Sequence, residues 1–179
     1  MTYYDVLVRL GDNLTGQLVG LWAYVEAGKL KPDEFTQLAA DLVEVANAQG
    51  AAAAQLAFRG WSEAATGRPT PLTTYTPPDA RQRLEDALTT LQAGTGDIAM
   101  RLERLGRNEP VQAATNAFHE VMKASTEVAG WVRGLEPDAC QLCVWWSRGG
   151  RVWPADHPMP RHTGCACHQI PVTTERKSA

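Results

Sequence analysis

Between Tyr3 and about Ala27 the apolar residues Val6, Leu7, Leu10, Leu14, Leu18, Leu21, Trp22 and Val25 recur at intervals of three and four. That period places them on one face of an α-helix, although Gly11, Gly16 and Gly20 weaken the pattern. Gly28 stands where a helix C-cap belongs. Pro32, Asp33 and Glu34 then open a second helix: proline fits a first turn, and acids suit the positive end of the helix dipole. The apolar face continues through Phe35, Leu38, Leu42, Val45, the run Ala51–Ala54, Leu56 and Phe58 and stops near Gly67. About 30 residues at ~1.5 Å each span roughly 45 Å, which predicts an elongated molecule.

Residues 67–78 (GRPTPLTTYTPP) hold four prolines and no helical period. They predict a linker or extended arm, a candidate for a hinge or for wrapping a neighbour. Thr76, Pro77 and Pro78 are read as the start of a third helix carrying Leu84, Leu88, Leu91, Ile98, Leu102 and Leu105, closed by Gly106. Asn108 is a candidate N-cap for a fourth, with Pro110 in its first turn and an apolar face from Val111 through Phe118, Val121 and Val128 to Trp131. His119 on this helix is expected to be an ordinary core or surface histidine. The expected fold is therefore mainly α: an elongated bundle of about four helices over 1–134, with the arm at 67–78. A small module at 135–172 and a flexible tail at 173–179 complete it.

The chemistry is concentrated in that module. All four cysteines fall between Cys140 and Val172, together with His157, His162 and His168. Cys140 and Cys143 form a Cys-x2-Cys pair; His162 and Cys165 repeat the spacing as His-x2-Cys, and Cys167 follows. Such a turn aims two donors at one ion, and two turns together make the closed tetrahedron that zinc takes in structural sites. Five candidate donors (Cys140, Cys143, His162, Cys165, Cys167) compete for four positions, and spacing leaves the spare one open. Two disulfides are the alternative. Against them, the charged start MTYYDVLVRLGDN lacks a secretory pattern, and cysteines so crowded would staple nothing else. Gly149-Gly150 marks a tight turn, after which Arg151-Val152-Trp153 is expected to return as a short strand ending at Pro154. Trp145, Trp146 and Trp153 supply apolar area to a lobe too small to hold together without a staple. One structural zinc per chain would be that staple.

Composition adds little to this picture. The 179 residues carry a net charge of −3, which gives no support to general nucleic-acid binding. The balance is uneven, near −5 over residues 1–136 and +2 over residues 137–179. No apolar run is long enough to span a bilayer. The helical part has no phosphate-binding glycine loop, His-Glu-x-x-His pair or nucleophile elbow.

The order of motifs in the module resembles the C-terminal signature of phage head morphogenesis proteins, the Mu F-like minor head (minor capsid) family. Its elements here are Cys140/Cys143, the turn Gly150-Arg151-Val152-Trp153, the segment Pro154 to Pro160, and the closing His162/Cys165/Cys167. Thr163-Gly164 and Ala166 depart from the His-Pro-Asn-Cys-Arg-Cys ending common in that family. The resemblance covers about the last quarter of the chain. It implies a minor structural protein of a tailed-phage head without enzymatic activity, made in the host cytoplasm and residing in the virion at the head interior or portal vertex. Portal protein and major capsid protein are the implied partners. Self-association and contact with packaged DNA are compatible with that role. The arm at 67–78 and Trp145-Trp146 are the expected contact sites, unless they pack on their own helices.

Two other classes stay open. A zinc-dependent nucleic-acid-binding adaptor suits the donor set, although the basic excess offers few phosphate contacts. A His-Asn-His type nuclease is suggested by Asp156-His157-Pro158 between cysteine pairs, but no asparagine follows that histidine.

Overall fold

The computed structural model describes residues 2–174, and within them the chain is mainly helical with a small C-terminal sheet. Helix α1 (Tyr3–Glu26) begins at a reciprocal cap. The Asp5 amide donates to Thr2 Oγ1 (3.2 Å) and the Thr2 amide to the Asp5 carboxylate (2.6 Å), which also holds the Asp5 carboxyl below its usual range. Helix α2 (Pro32–Thr66) is 35 residues long, about 52 Å at ~1.5 Å per residue, and ends at Gly67 in the left-handed conformation.

The proline-rich arm does not leave the molecule. It runs back along α2, and Gln55 on that helix treats Tyr75 as a strand would, accepting from its amide (2.9 Å) and donating to its carbonyl (3.1 Å). Thr70 adds bonds to Ser62 and Glu63 of the same helix.

The next two helices differ from expectation at three points. Helix α3 (Arg81–Ala93) starts after Asp79, whose carboxylate accepts from the Arg81 amide, and not at Thr76. It stops at Gly94, because Gly96 takes a positive φ and Asp97 caps a new helix, α4 (Ile98–Lys123), by accepting from the Met100 amide. Gly106, Asn108 and Pro110, read as a boundary, lie inside α4. Tertiary contact decides this. Gly106 has Thr15 of α1 directly against it, where a Cβ would lie 2.8 Å from the Thr15 Cα. Gly50 of α2 lies equally close to Pro110, so the proline sits at the point where α2 and α4 touch backbone to backbone. The third difference is at the end of α4. Val128–Trp131 form no helix but begin a strand, β1 (Val128–Gly134).

Strand β1 is the centre of a three-stranded antiparallel sheet in the order β2-β1-β3, with β2 at Trp153–Pro154 and β3 at His168–Thr173. The central strand thus precedes the division expected at residue 135. The tail expected over 173–179 lies outside the described residues from 175 onward. Helix α5 (Gln141–Ser147) stands between β1 and β2, and the Gly149-Gly150 turn joins it to β2.

Two apolar cores hold these elements. One, around Leu14, Leu18, Phe35, Leu84, Leu88 and Leu102, joins α1 to α4 at the end away from the sheet. The other joins Leu7, Phe58, Phe118 and Met122 to Trp131 of β1 and to Met159. Trp131 has no exposed surface and donates its indole N–H to the His157 carbonyl (2.9 Å). The cysteine module is therefore seated directly on the helical body. No helix among the described residues is long and apolar enough to cross a membrane.

Candidate metal centre

Helix α5 sets the first pair of donors. Cys140 is its N-cap residue and Cys143 lies one turn in, so both sulfurs face the same side. The backbone N–H groups of Cys143 and Leu142 aim at the Cys140 sulfur and hold its thiol below the ordinary value, as helix N-termini do. His162 and Cys165 form the second turn, closed by the Cys165 amide on the His162 carbonyl (3.2 Å), with Gly164 at positive φ inside it.

All five expected donors converge. His162 Nε2 lies 3.1 Å from Cys140 Sγ and 3.3 Å from Cys143 Sγ, and Cys143 Sγ lies 3.4 Å from Cys165 Sγ. Two trios, Cys140/Cys143/His162 and Cys143/Cys165/Cys167, each keep their ligand atoms within 4.8 Å of one another. Cys143 is common to both. A tetrahedral ion bound at ~2.3 Å by sulfur separates its ligand atoms by about 3.8 Å. The cluster has that size, its donors are soft, and it can hold a metal ion. The cysteines are free thiols, so the disulfide alternative is not realised.

Burial shapes the electrostatics. Cys143, Cys165 and Cys167 have almost no exposed surface, whereas Cys140 is exposed. Burial pushes the Cys143 thiol up to about 11. A bond from Cys167 lowers Cys165, and the same bond, with burial, raises Cys167. Cys167 also faces Glu136: its thiol donates to the carboxylate (3.7 Å) while the Glu136 amide donates to its sulfur (3.5 Å). Glu136 further accepts from the Ala166 amide, fixing the loop between the last two cysteines.

Two arginines complete the surroundings. Arg133 of β1 is 5% exposed; it donates to Cys143 Sγ (3.9 Å) and to the Pro160 carbonyl, and its guanidinium lies 5.3 Å from the centre of the Trp146 ring. Arg161 donates to Thr115 Oγ1 on α4 (3.0 Å) and to the Cys165 carbonyl. The sequence pattern did not reveal Arg133, Glu136 or Arg161, because single charged residues carry no spacing signal.

The remaining histidines lie outside both trios. His157 stacks on Trp153 (4.5 Å between ring centres, 10° apart), and His168 stands edge-on to Tyr3. His119 is half-buried on α4, 3.4 Å from the Gln169 amide nitrogen. Trp146 packs toward Arg133 and His162, whereas Trp145 is 65% exposed. Comparison with protein-family models, curated proteins and solved structures yields no match to this chain.

Proposed function

We propose that this chain is a non-enzymatic structural component of a tailed-phage head, a portal-associated minor capsid protein acting in head assembly, whose C-terminal module is closed by one zinc ion. The observation that carries the reading is the meeting of two trios, Cys140/Cys143/His162 and Cys143/Cys165/Cys167, at the shared Cys143. They are among the positions that carry the resemblance to Mu F-like minor head proteins. Sulfur-rich tetrahedral sets select zinc among common divalent ions. A site with more donors than an ion needs leaves no position for a reactive water, which suits a structural role. Bound metal in such sites contributes folding free energy of order 10 kcal/mol.

The fold supplies a candidate contact surface. Trp145 is the most exposed large apolar side chain among the described residues, and Leu142 and Val144 beside it on α5 are also exposed. The arm at 67–78 is a weaker candidate, since α2 already takes the backbone bonds of Thr70 and Tyr75. The test has two parts. Metal analysis of protein purified without chelator should give close to one zinc per chain. Co-expression with portal protein and with major capsid protein should retain one of them on the tagged chain, and a Trp145→Ala variant should retain less. A chain that binds no zinc and ignores both partners refutes the proposal.

One observation favours a second reading. Exposed Arg148 and Arg151 flank the turn next to Trp145, and no acidic residue lies between Cys140 and Ala155. A zinc-braced nucleic-acid adaptor would use such a tip for stacking and phosphate contact. A gel shift that weakens steeply with salt would select it.

A further inference from the structure

A guanidinium stays charged at any physiological pH, and removing a lone cation from water is among the costliest events in folding. Arg133 is almost wholly buried, and the Nε atoms of both Arg133 and Arg161 are buried without a partner. Neither residue forms an ion pair among the described residues; their hydrogen-bond acceptors are carbonyls, one hydroxyl and one sulfur. Thiols bonded to one another and to the His162 ring supply no anion until a metal displaces their protons. Arg133, buried, and Arg161, half-buried, thus face a thiol cluster whose one neighbouring carboxylate, Glu136, lies against Cys167 and the Ala166 amide and pairs with neither arginine.

We propose that Arg133 and Arg161 are the counter-charges of an anionic metal–thiolate centre. The inference rests on the metal reading above. A dication held by three thiolates and one imidazole carries a net charge of minus one, and by four thiolates minus two. Either state turns the two arginines from uncompensated charges into paired ones. The pairing is also mechanical: Arg161 spans from the Cys165 carbonyl to Thr115 on α4, and Arg133 links β1 to Cys143 and the Pro160 carbonyl. Loading the centre therefore tightens the contact between module and helices through charge, in addition to the ligand bonds themselves.

The role predicts effects of opposite sign with and without metal. Arg133→Met, Arg161→Met and the corresponding Lys variants are made in the full chain. Zinc affinity is measured by competition with a chromophoric chelator, and thermal unfolding is followed both zinc-loaded and in excess chelator. Each Met variant should lose roughly 10–100-fold in zinc affinity, the range found for groups that support metal ligands. Its metal-free form should melt no lower than the parent's, because an unpaired buried charge has gone. The Lys variants, which keep the charge but not the forked bonds, should recover most of the affinity. Affinity within twofold of the parent, or equal destabilisation of loaded and metal-free protein, overturns the proposal and leaves the arginines as hydrogen-bonding struts. If a Met variant does not fold, the Lys variant decides: retained affinity supports the charge role and lost affinity overturns it. A parent chain that takes up no zinc fails earlier and differently, refuting the metal reading and this inference with it.

Discussion

Gly50→Ala and Gly60→Ala, two identical changes ten residues apart on α2, should shift stability in opposite directions. Both sites are interior to the helix, where alanine is favoured over glycine by about 1 kcal/mol. Around Gly60 a Cβ meets nothing within 4 Å, so that gain should appear nearly whole as about 0.5–1 kcal/mol of added stability. At Gly50 the Cβ would fall 3.2 Å from the carbonyl carbon of Pro110 and closer still to its oxygen. Neither obstacle is a side chain that can swing aside. The α2–α4 crossing would have to open, and overpacking of this kind costs about 1–3 kcal/mol. The clash outweighs the propensity gain, and Gly50→Ala should lose about 1–2 kcal/mol net. The two variants would then differ by roughly 2–3 kcal/mol, or about 1 M in urea midpoint for a slope near 2 kcal/mol per M. Urea unfolding followed by far-UV circular dichroism measures this directly. If Gly50→Ala is stabilising to the same degree as Gly60→Ala, the close crossing at Pro110 is wrong.

Three further outcomes are expected. Cys143→Ser removes the donor common to both trios; zinc content should fall from near one to near zero and tryptophan fluorescence should shift red, while helical dichroism changes little because α1 to α4 keep their own core. Loss of most helix on that change would show that the module and helices unfold as one unit. Trp131→Ala empties the joint between sheet and helices and breaks the bond to the His157 carbonyl, at a cost of about 3–5 kcal/mol by thermal or urea unfolding; a loss under about 1 kcal/mol would mean the joint is not packed as described. Burial holds the His119 and His168 imidazoles below their ordinary value of 6.5, so the unfolded chain protonates first as pH falls. The stability they contribute is complete above that value and is lost below it. In metal-free protein the urea midpoint should decline between about pH 7.5 and about pH 5.5, and replacing both histidines with glutamine should flatten part of that slope; an unchanged slope refutes it.

The helices α1 and α2 were legible because their apolar residues keep a helical period and their ends carry local chemistry: Gly28 after α1, Pro32 with Glu34 at the start of α2, and Gly67 at its end. What misled was glycine and proline acting at a distance. Gly106 and Pro110 have the composition of a helix boundary, yet one accommodates Thr15 and the other lies against Gly50, and such neighbours are far away in sequence. Conversely, the break at Gly94–Asp97 was hidden because Leu91, Ile98 and Leu102 keep the helical interval across it. Val128 and Trp131 are also three apart and so extend a helical pattern, although their partners, β2 and β3, make them a strand. The five candidate donors were legible from spacing, because two short turns bring Cys140, Cys143, His162 and Cys165 together, although spacing left open which of the five is spare. Arg133 and Arg161 were not, because they act by burial, and burial is known only once the chain is folded.

Tyr3, near the start of α1, rests edge-on against His168 of β3 and stacks on Phe118. A ribosome releases the first of these residues well before the strand it leans on. Until then the core around Leu7 and Phe118 waits without its cover, and β1 waits with both edges unpaired until β2 and then β3 emerge. Folding of this end therefore cannot be completed before β3 has been made. A chain stalled within the cysteine module would present open strand edges and an uncovered apolar face, the two features that quality-control proteases and chaperones bind.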